Sequence, residues 1–408
     1  MRAHFNLKRL INLVYNLGWI RLDRNWIIIG TVFLLIIISV PLFYSIHTEK
    51  QVPDNFFFGT SFGLKTVEEA KLLIDEVKDY TNFFLINNWD VSTNETALNA
   101  ICDYAADAGL TFIVFFDFID VSSHGYPWHH QWVYEAKNRW GDKFGGIYIY
   151  EEPGGKQIDR GLFDEFHNER ARMFENATTI DDAADIFVSE LPKGPSFQFL
   201  LDLNVSRFVS DYALYWFDYL AGYDTVFAEL GWNHITAQQI GLCRGAAKAQ
   251  NKDWGTIITW KDQRGDPASI KNGSEMFEDM VVSFEAGANY IVVFNFPQYP
   301  EDNPYGVLTN DHFEKMRQFW NYASSHKEDF GKKNGKVAYV LPKNYGWGMR
   351  SVDDSLWGLW PADSRAPLIW KNMNLSIEKY DIDLDIVYND QYFDSSIYDE
   401  IFYWNSTN

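Results

Sequence analysis

Cysteine is scarce in this sequence, with two residues, Cys102 and Cys243, in a chain of 408. Two thiols exclude the disulfide framework that stabilises small secreted domains. Each cysteine falls in a segment whose apolar spacing predicts an amphipathic helix, and the two helices belong to opposite sides of the fold proposed below. Because a disulfide requires Cα atoms within about 7 Å, we predict two free, buried thiols.

Basic residues are also few: 35 Lys and Arg stand against 56 Asp and Glu, which gives a net charge of −21. Such a charge repels phosphate backbones, so nucleic acid is not an expected partner. Hydrophobic residues make up 47% of the chain and aromatic residues 17%, too many for a disordered protein. The composition therefore predicts a globular protein with a large core.

A long hydrophobic run without charge occurs at 26–44, and its nineteen residues would span about 28 Å as a helix. The preceding segment 1–25 carries five basic residues and one acid, an excess that is retained in the cytoplasm. The pattern predicts a single-pass cell-membrane protein with a cytoplasmic N-terminus, a transmembrane helix at 26–44, a linker at 45–54 and an extracellular remainder. Six Asn-x-Ser/Thr sequons fit a glycoprotein; they begin at Asn94, Asn176, Asn204, Asn272, Asn374 and Asn405.

Between residues 55 and 330, short apolar runs alternate eight times with amphipathic segments. This alternation predicts an α/β fold in one large domain, a (β/α)8 TIM barrel. The segment 195–203 remains open between a helix and an alternative fifth strand. The predicted strands are 55–59, 81–89, 111–120, 146–152, 207–212, 225–230, 254–260 and 290–296.

A second, smaller α/β module is predicted at 331–408, with strands at 336–341, 383–388 and 400–404 and a helix at 367–379. The order resembles a small Rossmann or flavodoxin-like βαβ unit. It lacks a GxGxxG sequence, so we infer no dinucleotide and no other cofactor. The Gly- and Trp-rich segments 346–350 and 357–360 are expected either to join the two domains or to lean over the barrel mouth.

The end of the fourth predicted strand carries the clearest site signal, because active sites of TIM barrels lie at the C-terminal ends of the strands. Side chains alternate along a strand. Tyr148, Tyr150 and Glu152 should therefore face the barrel axis, and Glu151 should point away from it.

The sequence Glu151-Glu152-Pro153 resembles the Asn-Glu-Pro that ends strand four in clan A retaining glycoside hydrolases. The resemblance covers the barrel region and implies that Glu152 is the general acid/base. Two departures are visible: Glu151 replaces the Asn, and the seventh strand is followed by Asp262 where the clan has its second Glu.

Other strand-end carboxylates could pair with Glu152. Glu229 ends strand six, and a carboxylate pair from strands four and six resembles the α-galactosidase-like barrels. Asp211 at the end of strand five and Asp262 are further candidates. Glycoside hydrolysis needs one protonated and one ionised carboxyl, whereas a structural acid would be satisfied by loop amides or by Lys261.

Aromatic and amide side chains crowd the same predicted rim. Flat apolar rings beside hydrogen-bonding groups suit the faces of sugars. The expected substrate-binding residues are Trp89, Trp128, Tyr150, Trp232, Trp260 and Asn295.

These patterns predict a membrane-anchored extracellular glycoside hydrolase that acts on a carbohydrate substrate. The alternative is a non-catalytic barrel that binds a surface glycan or a partner protein. A third interpretation, a metal-dependent hydrolase, would use His129 and His130. Adjacent residues rarely bind one ion together and no zinc-site spacing occurs, so no metal is predicted.

Overall fold

Eight parallel strands alternate with helices in the computed structural model, which describes residues 52–116, 128–159, 174, 176–261, 269–297 and 303–406. The strands close into a barrel in which each pairs with the next along the chain and the eighth with the first. The predicted TIM barrel is therefore confirmed. The strands are β1 (Phe57–Phe62), β2 (Phe83–Ile86), β3 (Thr111–Phe115), β4 (Phe144–Tyr148), β5 (Arg207–Asp211), β6 (Thr225–Leu230), β7 (Asp253–Ile258) and β8 (Tyr290–Val293).

Helices cover the outside of the barrel, and several begin at the side-chain caps that their sequences predict. Thr66 and Glu69 form a reciprocal capping box at one start, and Asn272 with Glu275 forms another, which satisfies backbone donors that a helix leaves free. The segment 195–203 is helical rather than a strand. The helices are α1 (Val67–Val77), α2 (Trp89–Ser92), α3 (Glu95–Asp107), α4 (Trp128–Trp140), α5 (Pro153–Ile158), α6 (Ile180–Glu190), α7 (Pro195–Asp202), α8 (Tyr215–Ala221), α9 (Thr236–Gln250), α10 (Gly273–Glu285) and α11 (Asn310–Ser325).

The barrel interior is filled by side chains and is largely aromatic. Residues of alternate parity on each strand meet at the axis, while the others pack against the helices. The interior cluster contains Phe83, Leu85, Ile113, Tyr148, Phe208, Phe227, Ile257, Trp260 and Val292.

The C-terminal module is a three-stranded parallel sheet of order β10–β9–β11, with β9 at Val337–Leu341, β10 at Leu384–Tyr388 and β11 at Glu400–Tyr403. Helix α12 (Ala366–Tyr380) connects β9 to β10. The module packs on α9 of the barrel, and residues from Val52 onward form one compact unit.

The predicted architecture needs one correction, because its N-terminal transmembrane helix is not supported. Within the described residues, no helix is long and apolar enough to cross a membrane. The predicted span 26–44 and its basic flank 1–25 lie outside those residues. The fold is a (β/α)8 barrel with a C-terminal α/β module.

Both cysteines are free and buried, as the sequence predicts. Cys102 lies on α3 and Cys243 on α9. The Cys243 thiol donates to the carbonyl oxygen of Val226 at 3.5 Å, and burial raises the pKa of both thiols. Each thiol is part of the core between a helix and the barrel wall.

Candidate active site

The chain leaves regular strand geometry just before the predicted acid. Strand β4 ends at Tyr148, and Tyr150 and Glu152 both have left-handed backbone conformations, with φ of 54° and 51°. Alternation therefore stops applying after Tyr148. The Tyr150 ring turns away from the axis and stacks on Phe197 of α7, with ring centroids 6.3 Å apart. The prediction that Tyr150 faces the axis is wrong.

Glu152 nevertheless lies beside Glu229 at the C-terminal end of the barrel. The Glu152 N–H donates to the carbonyl oxygen of Ser210 at 3.1 Å, and the Ser210 hydroxyl donates to Glu229 Oε1 at 2.7 Å. Glu229 lies two residues after Phe227, which belongs to the interior cluster. Strand alternation therefore directs the Glu229 side chain to the axis, as it does that of Phe227. Glu229 is 2% exposed and the Glu152 side chain is 18% exposed. The structure thus brings together two of the predicted carboxylates.

Burial raises the pKa of both carboxyls. For Glu152 burial is the main cause, followed by the charges of Glu229 and Glu151, and the pKa rises well above its ordinary value. Burial raises the pKa of Glu229 to about 7, although hydrogen bonds from Trp232 and Ser210 lower it, and the charges of Asp211 and Glu151 raise it further. Two neighbouring carboxyls away from water are not both ionised readily, so the pair retains one proton near neutral pH.

Hydrogen-bond donors decide which carboxyl holds that proton. The Ser210 hydroxyl donates to Glu229 Oε1 at 2.7 Å, and the Trp232 indole donates to Glu229 Oε2. Behind them, the hydroxyls of Tyr148 and Ser210 lie 2.8 Å apart. Donors stabilise an ionised carboxylate, so Glu229 carries the charge and Glu152 carries the proton.

Lys156 is a cation beside Glu152. Its Nζ lies 3.7 Å from Glu152 and 3.9 Å from Glu151. It lowers the pKa of Glu152 less than burial and the neighbouring acids raise it. Glu151 is 41% exposed and so lies nearer the solvent than Glu152, while its charge is still close enough to raise the pKa of both Glu152 and Glu229.

Asp211, unlike Glu229, has a carboxylate surrounded by backbone N–H groups. Its side chain is fully buried, Oδ2 accepts from Gly154 N at 2.6 Å, and Oδ1 accepts from the backbone N–H groups of Gly155, Tyr212 and Ala213 at 2.7–3.1 Å. Burial raises the pKa of Asp211 to about 7 against these bonds. Because backbone donors occupy both oxygens, Asp211 holds the start of α5 and does not present a free carboxylate to a substrate.

Glycines make that arrangement possible. A Cβ on Gly154 would lie 2.5 Å from the carbonyl oxygen of Ala213, and one on Gly155 would lie 2.2 Å from the Tyr212 ring. Only glycine allows the backbone to approach so closely. The fourth predicted carboxylate, Asp262, lies outside the described residues.

Three aromatic rings form the wall beside Glu229. Trp232 contacts Trp260 with ring centroids 5.2 Å apart, and Trp260 meets Phe294 edge to face at 4.8 Å. Trp232 is half-buried, whereas Trp260 is 6% exposed. Of the two predicted stacking residues, Trp232 is the more exposed, and its indole contacts Glu229 directly.

The remaining predicted substrate-binding residues belong to other elements of the barrel. Trp89 is the first residue of α2 and 39% exposed, and Trp128 begins α4 and packs against Phe116. Asn295 is fully buried. It alternates with the residues of β8 that face the interior, so its side chain points to the helix layer. A Cβ on Gly306 would lie 2.6 Å from Asn295 Oδ1. The structure therefore does not place Asn295 where a glycan would meet it.

The two histidines of the metal-dependent interpretation pack against different parts of the structure. His129 Nε2 lies 2.8 Å from the carbonyl oxygen of Ser92 and its ring stacks on Phe116, whereas the His130 ring stacks on Phe199. Both rings serve as packing groups in the described part of the chain.

Sequence reasoning missed Ser210, the donor that stabilises the charge on Glu229. Its signal was available: Phe208 and Ser210 share one face of β5, and Phe208 lies in the interior. Applying the same alternation to β5 would have selected Ser210 for the axis and Asp211 for the outside.

No family model and no curated protein sequence matches the chain. Similar solved structures include a GH99 endo-α-mannosidase from Bacteroides thetaiotaomicron, at 11% identity and a TM-score of 0.41, covering 64% of this chain and 80% of that one. A truncated 3-deoxy-D-arabino-heptulosonate 7-phosphate synthase from Thermotoga maritima has 8% identity and a TM-score of 0.38, with coverage of 69% and 90%. A GH10 protein from Paenibacillus barcinonensis has 10% identity and a TM-score of 0.36, with coverage of 62% and 87%. The resemblance to glycoside hydrolases is weak, and similarity at this level assigns no activity.

Proposed function

We propose that this protein is a glycoside hydrolase in which Glu152 is the general acid and Glu229 is the ionised partner. The observation that carries the proposal is the proximity of these two carboxyls at the C-terminal end of the barrel, where the Glu152 backbone and the Glu229 carboxyl both hydrogen-bond to Ser210. Glycosidases use two carboxyls that differ in protonation, and the unequal distribution of donors around this pair supplies that difference.

In the proposed reaction, Glu152 gives its proton to the leaving glycosidic oxygen. Glu229 then acts either as the nucleophile or as the base that activates water. The Ser210 and Trp232 donors keep Glu229 charged and fix its orientation. The exposed part of the Trp232 ring offers an apolar face for a sugar beside the carboxyls.

In the proposed hydrolase, the separation of Glu152 and Glu229 around a bound glycan decides the stereochemical outcome, which is retention at about 5–5.5 Å and inversion at about 6.5–9.5 Å. Glu152 is the more exposed of the two and follows an irregular backbone segment.

Neighbouring Gln substitutions test the proposal. A glycan array identifies what the native protein binds, and hydrolysis of the bound glycans is then measured. Glu152→Gln keeps the shape but removes the transferable proton, so kcat should fall by about 10²–10⁴-fold while glycan affinity is retained. Glu151→Gln is the matched control, since it changes the charge equally, contacts the same Lys156, and should reduce kcat much less.

Equal losses in the two variants would contradict the assignment of Glu152 as the acid. A second candidate function, a barrel that binds glycan without cleaving it, is favoured by the burial of Glu229, which is 2% exposed. It is the better interpretation if the native protein binds a glycan but hydrolyses none.

A further inference from the structure

Helix α5, which begins immediately after Glu152, is held at its far end by the C-terminal module. Gln157 Nε2 donates to the carbonyl oxygen of Trp357 at 2.7 Å, and Ser355 Oγ donates to the carbonyl oxygen of Ile158 at 3.2 Å. Arg350 Nη1 donates to Asp159, the residue that ends the helix. Three residues of one module segment thus bind the last turn of a helix of six residues.

That module segment is held by contacts of its own. Arg350 makes a two-pronged contact with Asp354, from Nε at 2.8 Å and Nη2 at 2.9 Å, a geometry that restricts the guanidinium more than a single bond does. The Trp347 and Trp357 rings are almost fully buried. The expectation that 346–350 and 357–360 join the two domains therefore agrees with these contacts.

We propose that the C-terminal module is a positioning device for Glu152, acting through α5. Asp211 fixes the first turn of the helix and the module segment 350–357 fixes the last, so the residue preceding the helix is directed at Glu229. The catalytic meaning of this positioning rests on the proposed function. The claim that the module positions Glu152 does not rest on it, because that claim concerns only where the Glu152 carboxyl lies relative to Glu229.

Loss of the contacts between segment 350–357 and α5 should change the pKa of Glu152. The direction of that change identifies its cause. Burial and the charge of Glu229 raise the pKa of Glu152, so loss of positioning lets its carboxyl reach water and lowers its pKa. Loss of a nearby positive charge does the opposite, since cations favour the ionised form. A fall in pKa after removal of Arg350 therefore cannot come from the lost charge.

Arg350→Met and Lys248→Met form a matched pair. Each cation bridges barrel and module through an aspartate, and their side chains are 26% and 27% exposed, but Lys248 lies on α9 and contacts Asp385 rather than α5. The titration of Glu152 is followed by ¹³C NMR of labelled glutamate carboxyls in the full-length protein, with Glu152→Gln as the assignment control. We expect Arg350→Met to lower the pKa of Glu152 by about one pH unit and Lys248→Met to leave it unchanged.

Gln157→Met is the second variant, in case Arg350→Met fails to fold. It removes one hydrogen bond to the module without altering charge, and it should shift the titration in the same direction. If native hydrolysis is found, both variants should lower kcat by up to about 10²-fold with little change in KM, as expected for a misplaced acid.

An unchanged Glu152 titration in both folded variants would overturn the positioning role. Equal shifts in Arg350→Met and Lys248→Met would do so as well, because any weakening of the domain contact would then suffice. The titration requires no glycan, so its outcome stands even if the native protein hydrolyses nothing, which would count only against the proposed function.

Discussion

Glu229 is surrounded by groups that act on its carboxyl in opposite directions. Burial in an aromatic interior opposes its charge, whereas the Ser210 hydroxyl and the Trp232 indole favour it. The Trp232 backbone is left-handed, with φ of 56°, which turns the indole back onto the strand that carries Glu229. The protonation of Glu229 therefore depends on burial and on two hydrogen-bond donors, and a strand-end Glu without them would be an ordinary acid.

The raised pKa of Glu229 predicts how stability changes with pH. Its ordinary value is 4.5 and its folded value about 7, so the folded state binds the proton more tightly than the unfolded state. The stability due to this group is complete below pH 4.5 and is lost as pH rises to about 7. Relative to Glu229→Gln, the native protein should lose on the order of 3 kcal/mol of unfolding free energy across that range, measured by urea denaturation.

Glu275 supplies the control for that measurement. It is partly exposed, and its hydrogen bond with Lys261 lowers its pKa. The sign is therefore reversed: its contribution is present above the unfolded pKa and is lost as pH falls. Comparison with Glu275→Gln should show a small trend in the opposite direction, and parallel trends for the two glutamates would refute the assigned burial effect.

At the scale of elements, α5 is too short to be stable alone, since isolated helices of fewer than about 12 residues are marginal in water. Its first turn depends on the Asp211 carboxylate, which lies on a neighbouring strand rather than at the helix cap. Asp211→Ala would leave buried N–H groups without an acceptor. We expect a loss of about 2–4 kcal/mol of unfolding free energy, together with a fall in the pKa of Glu152.

Asp182→Ala is the comparison for Asp211→Ala. Asp182 accepts backbone N–H groups at the exposed start of α6, where water can replace it, so its loss should cost about 1 kcal/mol or less. Similar costs at the two positions would contradict the role assigned to burial at Asp211.

The elements that sequence patterns predict well are those that depend on local periodicity. The predicted bounds of β6 coincide with Thr225–Leu230, and Glu229 was correctly expected at its end. The end of β4 was not predictable in this way, because its left-handed residues are held by distant groups. The Glu152 N–H donates to the carbonyl oxygen of Ser210 at 3.1 Å, and the α5 N–H groups that follow it donate to Asp211. Alternation could locate the site but not the orientation of Tyr150.

At the scale of the whole molecule, a buried ion pair joins the barrel to the C-terminal module. Arg244 of α9 donates to Asp385 of β10 at 2.7 Å, and both side chains are at most 1% exposed. Lys248 adds a second contact to the same carboxylate at 2.7 Å. Neither the pairing nor its burial is visible in the sequence, where the partners stand far apart among many charges.

Removing one partner of this pair should be costly. Asp385→Ala leaves the Arg244 guanidinium buried without its carboxylate, so we expect a loss of about 3–5 kcal/mol of unfolding free energy. The double variant Arg244→Met, Asp385→Ala removes both charges and should cost less than the sum of the single changes Arg244→Met and Asp385→Ala, with a coupling of about 0.5–3 kcal/mol. It should not restore full stability, because Arg244 also donates to the carbonyl oxygens of Lys333, Ile382 and Leu384. Urea denaturation of the four proteins measures the coupling, and strict additivity would show that the two charges do not stabilise each other.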